Sequence, residues 1–356
     1  METTRHGTNQ MEEPLNQNQF YAVVTTIQAP TAAMRRLARV VGGCGGRLVV
    51  VGDKKGPAAY PVREVELVTL EQQLKMPLRL PRLLPVGHYV RKNLGYLLAM
   101  SRQAPCIYET DDDNAPTARW RPRVRSVKAI PVRGSGWHNV YGHFSSEHVW
   151  PRGFPLEEVE ASRAWKPRAG SPAKVANSPI QQGLADGNPD VDAVWRLLLS
   201  RDVRFKSRSS LALGRGAWCP FNSQNTWWWP EAYALMYLPS FCTFRMTDIW
   251  RSFVAQRCLW EMDGALAFHA PDVIQDRNEH NLLRDFQDEV PGYINNARIC
   301  AVLEGVKLEP GKEAAGANLR RCYEALVREA VFPGKELRLV DAWLTDLKRI
   351  SRGLAV

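Results

Sequence analysis

The run Asp111-Asp112-Asp113 is the sharpest chemical feature of this sequence. It follows the short strand Cys106-Ile107-Tyr108-Glu109, which runs through Thr110 into three acids. In extended chain, residues i and i+2 point the same way, which brings Asp111 and Asp113 together and turns Asp112 opposite. Two residues of rise set those stems roughly 6.5 Å apart, within reach of one shared divalent cation. Hard carboxylate oxygens with open positions suit Mg2+ or Mn2+, with phosphate oxygens completing the shell. The plain alternative is a solvated acidic turn. Arg91 and Lys92 open a predicted helix at its positive end, where an anionic ligand would relieve their conflict with the helix dipole; an ordinary surface pair is the other reading.

Further candidates are weaker one by one. Thr26 and Gln28 close a first strand and Asp53, Lys54 and Lys55 close a second, so they would flank one crevice. There a base or ribose could bond to Asp53 and Thr26 and a lysine could meet phosphate, although Gly-Asp-Lys-Lys is also a good turn. In TDIWRSF, Thr247 can cap an amphipathic helix that carries Ile249, Phe253 and Trp260, and Asp248 can equally be a buried base in a sugar pocket. Asp190 and Asp192 share that ambiguity, with helix capping assigned to Asp190. Trp227-Trp228-Trp229 reads as core, though sugar rings also stack on such faces.

The elements that position these groups follow from periodicity. Phe20 to Ile27 is a β-branched run, Thr31 caps a helix with apolar Met34, Leu37, Ala38 and Val41, and Arg47 to Asp53 is a second buried strand. Strand, helix, strand in this order is a βαβ unit, hence a parallel sheet with ligands outside the carboxyl ends of its strands. A helix from about Arg91 to Gln103, with Leu94, Leu97, Leu98 and Ser101 on one side, and the strand before Asp111 repeat the pattern. From there Arg119, Arg121, Arg123, Arg125, Lys128 and Arg133 punctuate an extended stretch. A loop-rich, aromatic second lobe follows, and Leu337, Val340, Leu344, Leu347 and Ile350 mark a closing helix. The expected division is a disordered tail over 1–18, a nucleotide-binding α/β half over 19–130, an acceptor and catalytic lobe over 131–295, and a helical segment over 296–356.

The 356 residues suffice for a core without staples. Lys plus Arg outnumber Asp plus Glu by 47 to 37, so the formal charge is +10 and anionic partners are favoured. Seven scattered cysteines with no CxxC pair argue against a zinc site or a disulfide framework. No stretch reads as a leader or a membrane span, so the expectation is a cytoplasmic chain with no membrane partner.

In order along residues 20 to 295, the segments FYAVVTTIQAPT, LVVVGDKKGP, RKNLGYLLAM, IYETDDDN, VWPRGFPLE, QQGLADGNPDVDAVWRL, CPFNSQNTWWW, TDIWRSFVAQRCLWE and DRNEHNLLRDF resemble the STELLO family of glycosyltransferases. More distantly the chain is similar to the reversibly glycosylated polypeptides, which act as nucleotide-arabinose mutases: RGFPLE resembles their RGYPFSLRE and PDVDA their PDYDAP. The resemblance implies a GT-A nucleotide-diphospho-sugar transferase fold, a mostly parallel sheet flanked by helices, with an irregular acceptor lobe and C-terminal helices. It implies Asp111 and Asp113 as DxD metal ligands for Mn2+ or Mg2+, Arg91 and Lys92 near the diphosphate, and Asp53 near the base. Thr26, Gln28, Lys55 and Asp112 complete the expected nucleotide contacts. Arg152 falls on the arginine that the mutases glycosylate, Asp248 on an acceptor-side carboxylate, and His280 is the guess for a late metal ligand. The expected function is transfer of a sugar from a nucleoside-diphosphate sugar, a UDP-sugar foremost, to an unknown acceptor, with Asp248 or Asp192 as base. A mutase or autoglycosylating protein acting through Arg152 is the first rival. A non-catalytic nucleic-acid binder resting on the basic excess is the second, and the strand-to-acid arrangement speaks against it.

Overall fold

A computed structural model describes residues 20–163, 165–167, 171–199, 201–276 and 281–356. Residues 1–19, which include the expected tail over 1–18, Ala164, 168–170, Ser200 and 277–280 lie outside the described residues. The first unit is strand β1 (Tyr21–Thr25), helix α1 (Ala32–Gly43) and strand β2 (Arg47–Val51), followed by β3 (Val65–Val68), α2 (Leu70–Lys75), α3 (Lys92–Ser101) and β4 (Ile107–Thr110). β5 (Asn114–Pro116), β6 (Ser126–Val132), β7 (Gly136–Trp137), α4 (Val140–Phe144), α5 (Leu156–Val159), β8 (Lys174–Asn177) and β9 (Ile180–Gly187) come next. Then follow α6 (Ala193–Leu199), β10 (Leu211–Leu213), β11 (Ala217–Trp218), β12 (Asn225–Trp228), α7 (Thr247–Trp260) and β13 (Leu266–Gln275). Helices α8 (Leu282–Glu304), α9 (Ala315–Arg328) and α10 (Lys335–Ser351) close the chain.

The main sheet runs β3-β2-β1-β4-β12-β9-β13-β10-β6-β8, with β5 against β13, and β7 pairs β11 separately. β3, β2, β1 and β4 are parallel, as the βαβ reading requires, whereas beyond β4 the sheet is mixed: β12 is antiparallel to both β4 and β9, and β9 is parallel to β13. The alternation of a strand feeds two separate cores. Tyr21, Val23, Val49 and Val51 enter the larger, with Leu94 and Leu97 of α3; Ala22, Val24, Leu48 and Val50 enter the other, with Met34, Leu37, Ala38 and Val41 of α1. The tryptophan run obeys the same rule, Trp228 on one face and Trp227 and Trp229 on the other. These rings are core, and none of them lines the cleft described below.

Local rules explain the early elements. Thr31 accepts from the Met34 amide at 3.1 Å and starts α1 where expected. Gly95 lets α3 lie flat on the sheet, since a β-carbon there would come within 2.5 Å of Val23 and 2.7 Å of Val51.

Several expectations need correction. α3 is buried from Lys92 to Met100 and not on one side alone, and α7 is buried along its whole length and is not amphipathic; both run through the interior, where Arg251 leaves its Nε and Nη2 without hydrogen-bond partners among the described residues and lies over the Trp228 ring. In α7, Arg251 meets Glu109 at 2.9 Å, and Glu109 also accepts from Trp228 at 2.9 Å and from Tyr96. Thr247 is the first residue of that helix, not its cap. The proposed boundary between residues 130 and 131 falls inside β6, and the one between 295 and 296 inside α8. One sheet crosses the first of these, because β12, β9 and β13 extend the parallel strands directly.

Candidate active site

The carboxyl ends of β1, β2 and β4 open onto a cleft of about 660 Å3. Thr25 to Gln28 come from the end of β1, Gly52 to Lys55 from the end of β2, and all three of Asp111, Asp112 and Asp113 follow β4. Arg152, Asp190, Ser223, Phe244, Arg245 and Asp248 line the same cleft. Groups far apart in the chain are thus gathered as parallel-sheet topology requires.

The three aspartates have separate partners. Asp111 pairs with the Lys92 ammonium at 2.8 Å. Asp112 accepts from the Thr26 hydroxyl at 2.5 Å, and its carbonyl accepts from Thr31 at 3.4 Å. Asp113 accepts from the Gln275 amide at 2.9 Å. Asp111 keeps 38% of its side chain open to the cleft, yet protein crowds it closely enough that burial pushes its carboxyl up to about 7. Lys92 opposes that rise, and Asp113 and Asp248 add to it. Burial also raises Asp112, against the Thr26 hydrogen bond.

Among the described residues no group of three or more His, Cys, Asp or Glu is arranged to hold a metal ion, and His280 lies outside the described residues. Asp111 and Asp113 still offer hard oxygens at the cleft. That donor set fits Mg2+ or Mn2+ as an open site whose remaining positions are taken by water and phosphate oxygens, not as a closed protein cage.

Arg152 is the centre of a second cluster in the cleft. Its Nε and Nη2 donate to the two oxygens of Asp190, each at 2.7 Å. Its Nη1 and Nη2 donate to Asp248 at 3.1 and 3.0 Å, and Nη1 also donates to the Arg245 carbonyl. All five guanidinium N–H groups are therefore spoken for. Gly153, at φ +89°, allows this approach: a β-carbon there would collide with Ile249 of α7. Asp248 also accepts from the Ser223 amide at 3.1 Å, and its own amide donates to the Tyr89 hydroxyl at 3.1 Å. Asn222 adds a bond to Asp190 at 2.8 Å, and Arg245 reaches Glu289 at 2.7 Å.

Several sequence assignments change. Asp190 and Asp192 exchange roles: Asp190 lines the cleft, while Asp192 is fully buried, starts α6 by accepting from the Trp195 amide at 2.7 Å, and accepts from the Trp150 indole at 2.6 Å. Asp192 is thus scaffold and not a base. Arg91 is also scaffold. It touches the cleft, but its guanidinium donates to Gln73 at 2.6 Å and to the carbonyls of Leu84, Pro85 and Pro81. Lys92 is buried behind Asp111 and serves as its counterion. Asp53 accepts from the amides of Lys54, Gly87 and His88, at 2.6, 2.8 and 3.0 Å, so it ties two cleft loops together. Thr26, Gln28 and Lys55 line the cleft as expected. Ser223, Gln275, Tyr89, Phe244 and Arg245 were missed; only the polar run Asn222-Ser223-Gln224-Asn225, ahead of a tryptophan-rich strand, hinted at any of them.

The fold and site define an α/β protein with an acid- and base-lined cleft at its strand ends. Residues 245–354, a stretch that includes Arg245 and Asp248, match the family model described as STELLO glycosyltransferases. Probable glycosyltransferase STELLO1 of Arabidopsis thaliana is 27% identical over 93% of this chain and 44% of its own length. Probable glycosyltransferase STELLO2 of the same plant is 27% identical over 93% of this chain and 45% of its own. The likeness to the STELLO family carried by the motifs therefore holds along nearly the whole chain, which spans just under half the length of these curated relatives. A solved mycobacterial protein aligns with 89% of this chain and 76% of its own at 11% identity and a TM-score of 0.36. No helix among the described residues is long and apolar enough to cross a membrane.

Proposed function

We propose that the chain is a GT-A-type glycosyltransferase that binds a nucleoside-diphosphate sugar, a UDP-sugar foremost, and passes the glycosyl unit to an acceptor entering beside Asp248 and Asp190. The observation that carries this reading is the meeting, in one cleft, of the acids after β4, the lysines after β2 and the Arg152 cluster. Asp111 and Asp113 would hold Mg2+ or Mn2+, which supplies charge neutralisation to a departing diphosphate. Lys54 and Lys55, both exposed at the cleft, are placed to meet phosphate oxygens. Arg152 is a fixed cation that holds Asp190 and Asp248 at set positions, so that an acceptor hydroxyl meets preorganised charge. The STELLO likeness supports the class of reaction.

Both rivals are less well supported. A glycosylated Arg152 would need a free guanidinium nitrogen, and every N–H there is engaged. The basic stretch expected to bind nucleic acid is in part spent on internal pairs: Arg123 pairs with Asp272 at 2.6 Å, Arg125 with Glu231 at 3.0 Å, and Arg119 lies 3.9 Å from Asp186.

The test is thermal unfolding with UDP, GDP, dTDP or ADP, each with and without Mn2+. One nucleotide at 100 times its dissociation constant should add about 2.7 kcal/mol, and only when the metal is present. Asp113→Asn should abolish that shift while leaving the ligand-free melting curve in place. Four nucleotides without any Mn2+-dependent effect would sink the proposal.

A further inference from the structure

We propose that Phe244, with Tyr89 and His88 behind it, is the acceptor subsite of the cleft, and that it receives a ring with an apolar face, a pyranose or an aryl group. The inference builds on the transfer reading above. A single exposed phenylalanine means little. This one lies in the wall of a charged cleft, is 52% exposed, and packs edge-to-face on Tyr89 at 4.6 Å, with His88 at 5.4 Å. Two aromatic neighbours fix the ring before any ligand arrives, so little ordering cost remains for binding.

The side of the cleft follows from its connections. Tyr89 accepts from the Asp248 amide, and the residue after Phe244, Arg245, gives its carbonyl to Arg152. Phe244 therefore borders the Asp190–Arg152–Asp248 cluster, where the acceptor is proposed to enter, and His88 behind it is held through its amide by Asp53. The tryptophan run that might have offered a stacking face is buried in the two cores. Among the residues of the cleft, Phe244 is thus the exposed aromatic ring.

The cleft contains no tryptophan, so Phe244→Trp places a fluorescent ring where the twelve native indoles contribute no cleft signal. Phenyl β-D-glucopyranoside should give a saturable emission change in this variant, with or without UDP and Mn2+, and none in the unsubstituted protein. By calorimetry, Phe244→Ala should weaken the aryl glucoside about 3- to 10-fold, as loss of an aromatic contact implies, with Phe244→Leu intermediate. UDP affinity should stay within about twofold, because no charged donor contact is removed. Equal aryl-glucoside affinity in Phe244→Ala and the unsubstituted protein would overturn the assignment. So would a signal from UDP alone together with weakened UDP binding in Phe244→Ala, which would make the rim a nucleobase subsite. If no nucleotide binds but the aryl glucoside still depends on Phe244, the donor reading falls and the ring subsite stands.

Discussion

Asp111 sits where burial and its acidic neighbours favour the proton and Lys92 favours the charge. Its carboxyl is raised from 3.8 to about 7, so a cation or a metal–nucleotide complex must displace a proton over that interval. Mn2+-dependent UDP affinity should therefore climb as pH rises toward about 7, by at most about tenfold per unit, and level off above it. Titration calorimetry in buffers of different protonation enthalpy reads both the affinity and the released proton; Asp111→Asn should remove the proton release. Arg152 invites a different prediction. Arg152→Ala leaves two buried carboxylates without their shared cation and should cost about 3–5 kcal/mol in urea unfolding. Arg152→Lys keeps the charge but cannot fork to two carboxylates, so it should unfold less readily than the alanine variant and still lose most transfer activity. Such pairings were hidden in the sequence, because Arg152 lies 38 residues from Asp190 and 96 from Asp248. Asp190 and Asp192 were confused for a related reason. Both stand before a helix, and only the path of the chain decides which side chain turns inward to cap it.

At the scale of elements, the first βαβ unit was legible down to its cap and its four buried helix positions, since both depend on neighbours within a few residues. Helix α7 reads as amphipathic in the sequence and α3 as one-sided, because a helix enclosed on every side can carry polar residues only if distant partners exist, as Glu109 exists for Arg251. The N-terminus of α6 is a useful test of scaffold against chemistry. Asp192→Ala should cost about 1–2 kcal/mol through loss of the cap, while UDP affinity stays unchanged. The pH dependence of that cost has a definite sign. Burial raises Asp192 from 3.8 to about 7, with hydrogen bonds from Trp195 and Trp150 opposing. Between these values the folded state holds a proton that the unfolded chain has lost, so this group's contribution to stability falls as pH rises through that window. The penalty of Asp192→Ala should accordingly be larger near pH 4 than near neutrality, measured by denaturant midpoints at each pH.

For the whole molecule, the change of texture near residue 115 was legible, but it marks a change in the sheet and not a hinge between bodies. Composition shifts where parallel βαβ units give way to mixed strands with long connections; pairing between strands distant in sequence leaves no local trace. The consequence is testable by dissection. A fragment covering residues 19–130 ends inside β6 and leaves the outer edge of β4 without β12, so it should lack cooperative unfolding by circular dichroism, and co-expression with 131–356 should be needed for any folded product. The basic excess was likewise legible as a number, while its pairing with Asp272 and Glu231 was not.

Helix α7 supplies Asp248 from its first turn and is enclosed by protein along all fourteen residues. A segment with no face toward solvent has no private route to opening, so its amides should exchange with deuterium only when the entire domain unfolds. The turn at residues 53–56 and the loop at 84–88 have solvent beside them and are joined through Asp53. Amide exchange faster in those two loops than in α7 is therefore the expected mark of a cleft that breathes at its rim over a rigid floor.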